Sequence, residues 1–391
     1  MLLRFEVSNH RSILEPVELS MIALDEDRPQ ARASEALTKR VLALAGIYGP
    51  NASGKSNLVD ALVWLAAAVD GSARDPAAGT GRQPFRFGSG PTTPSSFEVE
   101  LLVEGVRCAY SLTVDDSVVL SESLWSFPER RKRVVFEREG ADLRVRRGLG
   151  DLVGVEERLN PAIPVLSAAL GLEGTEVQPV ARALAGIRAF GARHTPERNP
   201  QPELDPDPSA TWRSTQALLR FAGLGIEGMR VGEDGKLRLT HRAGGQELDF
   251  ELAEESAGTR RWLALIGPIL AAIRQGRILV IDEIEADLHP RLSAQLLELF
   301  QDPETNPQGA QLIFTSHDTS LLGVLNRDEV WLTERDGNGA TLLTALADHG
   351  GDRVRRTTNL EKAYLEGRYG AVPELDRAFL REALGEASAG P

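Results

Sequence analysis

Gly49-Pro50-Asn51-Ala52-Ser53-Gly54-Lys55-Ser56 has the spacing of a loop built to hold phosphate, and each residue type has a task in it. Gly49 and Gly54 let the backbone curl until successive N–H groups point into one hollow, which makes an anion site. Lys55 brings a point charge to the β- and γ-phosphates, and the Ser56 hydroxyl is a hard oxygen ligand for Mg²⁺. A second chemistry-bearing pair lies far along the chain, where Asp282-Glu283 closes the run Arg277-Ile278-Leu279-Val280-Ile281. Asp282 fits a place in the Mg²⁺ shell, directly or through water, and Glu283 fits a general base that polarises an attacking water. On these residues alone, an acidic pair that merely caps the next helix is the alternative.

The elements needed to position these groups are legible around them. Val41 to Tyr48 is a short apolar run suited to a buried strand, and Asn57 to Val69 reads as a helix whose N-terminal dipole faces the phosphates. A buried parallel strand over 277–281 presents its acids at the carboxyl edge, where open α/β sheets bind ligands. Strands are expected at Leu2–Ser8, Val17–Ile22, Phe97–Glu104, Arg107–Val114, Val118–Phe127 and Arg133–Glu137. Helical spacing marks Leu152–Leu170, Val177–Phe190, Trp212–Ala222 and Gly258–Gln275, with short strands near Met229 and Leu237. The segment from Thr195 to Ser209 holds five prolines and reads as a loop or linker. The expected organisation is a strand-rich lobe over 1–150, a helical insertion over 151–222, a second lobe over 223–373, and a C-terminal helix with frayed tail over 374–391.

Composition narrows the class. Apolar residues make up 42% and charged residues 26% of the 391 positions, as in ordinary globular proteins. A net charge of -13 argues against a broadly basic surface that coats nucleic acid, while leaving room for a local basic groove. The single cysteine, Cys108, cannot form an internal disulfide and fits a reducing cytoplasm. No apolar run approaches the ~18 residues of a membrane span, and Met1–Val7 alternates like a strand rather than a signal peptide core. The expectation is a cytoplasmic protein with no membrane partner.

Ile281-Asp282-Glu283-Ile284-Glu285-Ala286-Asp287-Leu288-His289-Pro290 resembles the Walker B motif and following D-loop of ABC-type ATPases. The resemblance is to the branch containing Rad50, SMC, RecF and the OLD-like ATPases. Upstream, Glu255-Ser256-Ala257-Gly258-Thr259-Arg260-Arg261 is similar to that branch's signature motif, through Ser256 and Gly258. Downstream, Ile313-Phe314-Thr315-Ser316-His317-Asp318 is similar to its switch strand, and Phe5 to Ser12 resembles its opening strand and turn. With Tyr364 to Pro373 added, the whole pattern resembles the AAA15/AAA21 family of prokaryotic ATP-binding proteins, over roughly 1–140 and 223–373.

This resemblance implies an α/β ABC-ATPase head: a strand-rich first lobe, a central mixed or parallel sheet, and a helical insertion. It implies ATP and Mg²⁺ as ligands, bound by residues 49–56 with Asn57. It also implies a head-to-tail homodimer, each ATP lying between one phosphate loop and the partner's Ser256 and Gly258. Read physically, those two residues make a second phosphate-binding helix N-terminus, or an ordinary helix start. His317 is either a satisfied polar group or, as the family suggests, a γ-phosphate sensor or orienter of water. Arg11 either reaches a phosphate or caps the first hairpin. The branch also carries a glutamine that bridges Mg²⁺ and the attacking water, for which Gln83 is the candidate.

Three roles are compatible with such an ATPase. The insertion of about 70 residues contains prolines and rules out a long coiled-coil arm, and the residues after the switch strand are too few for a nuclease domain. A dimeric ATP-driven switch acting on a partner effector, such as a nuclease or toxin encoded next door in phage defence, therefore leads. A RecF-like ATP-dependent DNA-binding protein is second, and a transporter ATPase subunit is last. The missing Asn-Lys-x-Asp guanine motif tilts the ligand from GTP toward ATP.

Overall fold

The computed structural model describes residues 1–71, 79–145, 155, 159–172, 175–191, 208–232, 234–349 and 359–372. Two strands open the chain, β1 (Leu2–Ser8) and β2 (Val17–Ser20), followed by β3 (Leu44–Tyr48) and the helix α1 (Lys55–Asp70). The antiparallel run β4 (Ser95–Val103), β5 (Val106–Val114), β6 (Val119–Ser126), β7 (Arg133–Glu139) and β8 (Asp142–Val145) comes next. These join β1 and β2 in a seven-stranded sheet of order β2-β1-β4-β5-β6-β7-β8. Phe97, Val99 and Leu101 alternate inward along β4, as a sheet with one covered face requires.

Two short helices follow, α2 (Val165–Ala169) and α3 (Gln178–Ala185), and their apolar faces join the core that holds α1. Then come β9 (Arg188–Phe190), α4 (Pro208–Phe221) and a small antiparallel sheet of β10 (Ile226–Val231), β11 (Leu237–Ala243) and β12 (Gln246–Glu251). The remaining elements are α5 (Ala257–Gln275), β13 (Ile278–Ile281), α6 (Pro290–Gln301), β14 (Gln311–Thr315), β15 (Val330–Arg335), β16 (Thr341–Ala345) and α7 (Leu360–Leu365).

The central sheet has the order β16-β15-β3-β14-β13-β9, and every pairing in it is parallel except β15 with β16. Its inner strands are buried end to end because both faces are covered. Side-chain alternation then divides each strand between two cores. Ala45, Ile47, Ile278, Val280 and Ile313 face the core shared with α1 and the seven-stranded sheet. Leu44, Tyr48, Leu279, Ile281, Leu312 and Phe314 face the one built with α5, α6 and α7.

The structure departs from the sequence expectation at several points, and β8, α6, β15, β16 and α7 are elements that expectation does not contain. The helix expected to reach Phe190 stops at Ala185, and the apolar residues beyond Gly186 pair with β13 as an edge strand. β12 is a third strand beside the two expected near Met229 and Leu237; its six residues hold only two apolar side chains, Leu248 and Phe250, and none of the six is buried. Within Leu152–Leu170 only Val165–Ala169 is a described helix, starting after Pro164, and residues 151–154 and 156–158 fall outside the described set. The C-terminal helix expected over 374–391 and most of the Pro-rich segment also lie outside it.

Candidate nucleotide site

Register brings the two chemical motifs together. Thr315 of β14 pairs with Ile47 of β3, and Phe314 pairs with Ile281 of β13. The phosphate loop, Asp282 and the turn after β14 therefore leave the same carboxyl edge from three adjacent parallel strands.

The loop from Gly49 to Gly54 is held from below by the β15–β16 hairpin. Ser53 Oγ meets Thr333 Oγ1 at 2.5 Å, Thr333 Oγ1 donates to Tyr48 O at 3.1 Å, and Thr341 Oγ1 donates to Ser53 O at 2.9 Å. Gly49 and Gly54 have φ of 146° and 111°, and a Cβ on either would strike Thr333 or Thr341. Glycine is required here by both conformation and space. Helix α1 starts with no side-chain cap and no acid in its first turn, so its positive end is left for an anion. Lys55 Nζ lies over the loop, donating to Gly49 O at 2.7 Å and Pro50 O at 3.0 Å. Burial pushes its ammonium down to about 8, against the pull of Glu285, Asp282 and Glu283.

Asp282 is buried, and Thr315 Oγ1 donates to its Oδ1 at 2.7 Å. The same Thr315 oxygen accepts the Glu283 N–H at 2.8 Å. Glu283 has φ of 56°, a conformation costing of order 1 kcal/mol in a residue with a Cβ. Arg261 fixes it from the other side: Nη2 donates to Asp282 O at 3.3 Å and to Glu283 O at 3.0 Å, while its guanidinium lies 4.6 Å from the Phe190 ring centroid. The kink turns an exposed Glu283 side chain away from the strand line while Asp282 stays buried and oriented.

His317 follows β14, exposed as a residue but with a partly desolvated ring; that desolvation and Lys55 push its imidazole below the ordinary value, while Glu285, Glu283 and Asp282 pull the other way. A neutral imidazole at neutral pH follows, able to accept at one nitrogen and donate at the other. Sensitivity of both Lys55 and His317 to the same three carboxylates places all five groups in one neighbourhood. Glu285, to which spacing alone assigns no role, accepts the His317 N–H at 2.7 Å and the Ser316 hydroxyl at 2.9 Å. Thr315, Thr333 and Thr341 are likewise invisible to motif spacing, because isolated threonines carry no such signal.

Ser256 and Gly258 sit at the start of α5. Ser256 is exposed and caps the helix, accepting the Thr259 N–H at 3.1 Å. A Cβ on Gly258 would lie 2.6 Å from Asp287 O, so the helix start rests on the turn after Asp282-Glu283. Arg11 is committed to α1: it pairs with Asp60 through Nε and through Nη2 at 2.9 Å. Burial alone would raise Asp60, but hydrogen bonds from His10 and Arg11 outweigh it and bring the carboxyl down to about 2. The exposed Gln83 lines a cleft with Arg11, Ser12 and Asn57, and its main-chain O accepts the Arg11 N–H at 2.6 Å.

The donors present fit a hydrated divalent cation. Ser56 and Asp282 are hard oxygens, and Thr315 fixes one Asp282 oxygen while leaving the other without a hydrogen bond among the described residues. Among those residues no three His, Cys, Asp or Glu cluster as a self-sufficient metal site. Mg²⁺ is characteristically held by one or two protein oxygens together with substrate phosphates.

Solved structures of similar shape include the SMC head domain from Thermotoga maritima, 17% identical over 88% of this chain and 98% of that one, at TM-score 0.42. An SMC head bound to the C-terminal winged-helix domain of ScpA is 12% identical over 89% and 98%, at TM-score 0.50. An Smc head with an extended coiled coil, bound to the C-terminal domain of ScpA derived from Pyrococcus furiosus, is 11% identical over 89% and 97%, at TM-score 0.49. The likeness at 0.50 shows that the α/β fold is that of an SMC-type head. No curated protein matches the chain. Among the described residues no helix is long and apolar enough to cross a membrane. Residues 44–323, from the first strand of the central sheet to beyond the switch turn, match the family described as "AAA domain, putative AbiEii toxin, Type IV TA system", and the chain belongs to that family of AAA-type ATPase domains.

Proposed function

We propose that the chain binds and hydrolyses ATP as a head-to-tail homodimer whose nucleotide state is read by a partner effector. One observation carries the catalytic half of this reading: Lys55, Asp282, Glu283, Glu285 and His317 converge at one sheet edge beside an uncapped helix N-terminus. Residues 49–56 and Asn57 would cradle the phosphates, with Lys55 released from Gly49 O and Pro50 O to meet them. Ser56 and Asp282 would hold Mg²⁺, which when bound neutralises phosphate charge. Glu283 would take the proton of the attacking water, and the neutral imidazole of His317 would contact the γ-phosphate.

The dimer is supported by Ser256, which ends α5 as an exposed N-terminus. Phosphate bound there would come from a nucleotide on a second copy. The effector half rests on two comparisons. The family description names a toxin–antitoxin setting, and the SMC head of matching fold carries a domain of another protein. A nuclease or toxin in the phage-defence setting fits an ATPase of this kind.

Glu283→Gln tests the core of the proposal. With Mg²⁺–ATP at micromolar protein, light scattering should give twice the monomer mass, and without nucleotide the monomer mass. A monomer under both conditions removes the sandwich. Co-expression of the tagged variant with the product of the adjacent gene tests the partner: ATP-dependent co-elution is expected, and elution alone in both conditions removes the effector role. ATP-dependent DNA binding that falls steeply with salt would instead favour the RecF-like role.

A further inference from the structure

A cleft of about 780 Å³ lies between the start of α1 and the turn joining β15 to β16, within the ~300–1,000 Å³ of small-molecule sites. Ser12 and Asn57 line it on the side of the phosphate loop, Arg86 and Phe87 on the loop before β4, and Arg335 and Asn338 on the hairpin. Asn57 Nδ2 donates to Ser12 Oγ at 2.6 Å, so this wall is continuous with the first turn of α1. The cleft thus opens beside the first turn of α1, where the phosphate loop ends.

Phe87 is 69% exposed, an unusual position for a phenyl ring, and its edge packs on the buried Phe85 with ring centroids 5.5 Å apart. The loop that carries it is clamped. The Phe85 N–H donates to Asn9 Oδ1 at 3.0 Å, Asn9 Nδ2 donates to Gly90 O at 2.9 Å, and Arg82 Nη2 donates to Pro91 O at 3.0 Å. Arg86 and Arg335 are exposed, and among the described residues neither side chain makes a hydrogen bond or ion pair. The cleft therefore offers a rigid aromatic face and two uncommitted guanidinium groups, one step from a phosphate loop.

We propose that this cleft seats the base and ribose of the nucleotide, with Phe87 stacked on the base and Arg86 and Arg335 flanking it. The inference rests on the nucleotide reading of the 49–56 loop and adds the residues that recognise what the phosphates carry. Stacking on an aromatic ring and on guanidinium planes suits a flat, electron-rich heterocycle, whereas bare polyphosphate gains nothing from a phenyl ring.

The test is calorimetric titration of the full chain with Mg²⁺–ATP and, separately, with Mg²⁺–tripolyphosphate, which has no base. Phe87→Ala should weaken ATP binding on the order of tenfold and leave tripolyphosphate binding unchanged, and Phe87→Trp should restore ATP binding. Because Phe87 is exposed, its removal leaves the core intact, and an unchanged melting temperature checks this. Equal ATP affinity in Phe87→Ala, or equal losses for both ligands, overturns the proposal. Equal affinity of the wild type for ATP and tripolyphosphate removes the base cleft while leaving the phosphate site. If the wild type binds neither, the nucleotide reading itself falls and the cleft with it.

Discussion

Glu285 accepts the main-chain N–H of His317 at 2.7 Å while its other oxygen accepts the Ser316 hydroxyl at 2.9 Å. One carboxylate thus ties the turn after β13 to the turn after β14. It is also the strongest carboxylate influence on Lys55, ahead of Asp282 and Glu283. Glu285 links the three strands that deliver the proposed chemistry, and it does so through main chain and charge rather than through contact with a reacting atom.

Glu285 is accordingly a positioning residue for His317. Charge-assisted hydrogen bonds are worth ~1.5–3 kcal/mol, so Glu285→Gln should lower kcat for ATP about tenfold or more, with KM little changed. The carboxylate also opposes the depression of the His317 pKa, so its removal should move that imidazole further below the ordinary value. Proton NMR titration of the histidines reads this directly. An unmoved His317 titration together with an unchanged kcat would refute the role.

Lys55 gives a proton-linkage prediction. With its ammonium near 8, the free site holds about half a charge at pH 8 and nearly a full charge at pH 6.5. Bound polyphosphate favours the charged form, so ATP binding at pH 8 should take up about half a proton, and at pH 6.5 almost none. Affinity should fall as pH rises from 7 to 9. Calorimetry in buffers of different ionisation enthalpy measures the uptake, and Lys55→Met should abolish it. The stability sign is opposite to that of a salt-bridged lysine. The unfolded chain holds this proton more tightly, so the buried charge opposes folding below pH 8, and that opposition fades toward pH 10.5.

What the sequence reveals of this site follows from where its physics is local. The phosphate loop is local: two glycines, a lysine and a serine at fixed spacing, flanked by a strand and a helix that need only short-range patterns. The strand at 278–281 is equally visible, because a strand covered on both faces is an unbroken apolar run. β9 is not visible, because Arg188–Phe190 is too short for a period and becomes a strand only by pairing with β13. Thr333 and Thr341 support the loop from nearly 300 residues away, and no local pattern announces that contact. Arg11 could be placed in the right region, but its commitment to Asp60 depends on how β1 meets α1.

Glu122 supplies a stability prediction away from the site. It is wholly buried and accepts from Tyr110 OH at 2.9 Å, Val165 N at 2.7 Å and Leu166 N at 3.3 Å, joining β6 to the start of α2. Burial pushes its carboxyl up to about 7, despite these donors and Arg138. A raised carboxyl binds its proton more tightly in the folded state. This contribution is therefore full below the unfolded value and is lost as pH rises through 7, by ~3 kcal/mol at most. Urea unfolding at pH 5 and pH 8 should show the wild type losing stability relative to Glu122→Gln across that window. Parallel pH profiles for the two proteins would contradict it.

Gly258 separates the dimer proposal from the monomeric nucleotide site. Its Cα faces Asp287 O so closely that a Cβ would lie 2.6 Å away, and backbone cannot yield as a flexible side chain can. Gly258→Ala must therefore lift the start of α5 off the turn after Glu283, at a cost of ~1–3 kcal/mol in stability. The exposed Ser256 cap moves with it, while residues 49–57 are untouched. In the Glu283→Gln background, ATP affinity of the monomer should remain, whereas the ATP-dependent doubling of mass should be lost or need at least tenfold more protein. Light scattering across a protein dilution series at saturating ATP makes the comparison. If Gly258→Ala dimerises as readily as its parent, the helix start is an ordinary cap. The second copy would then meet the nucleotide through another surface.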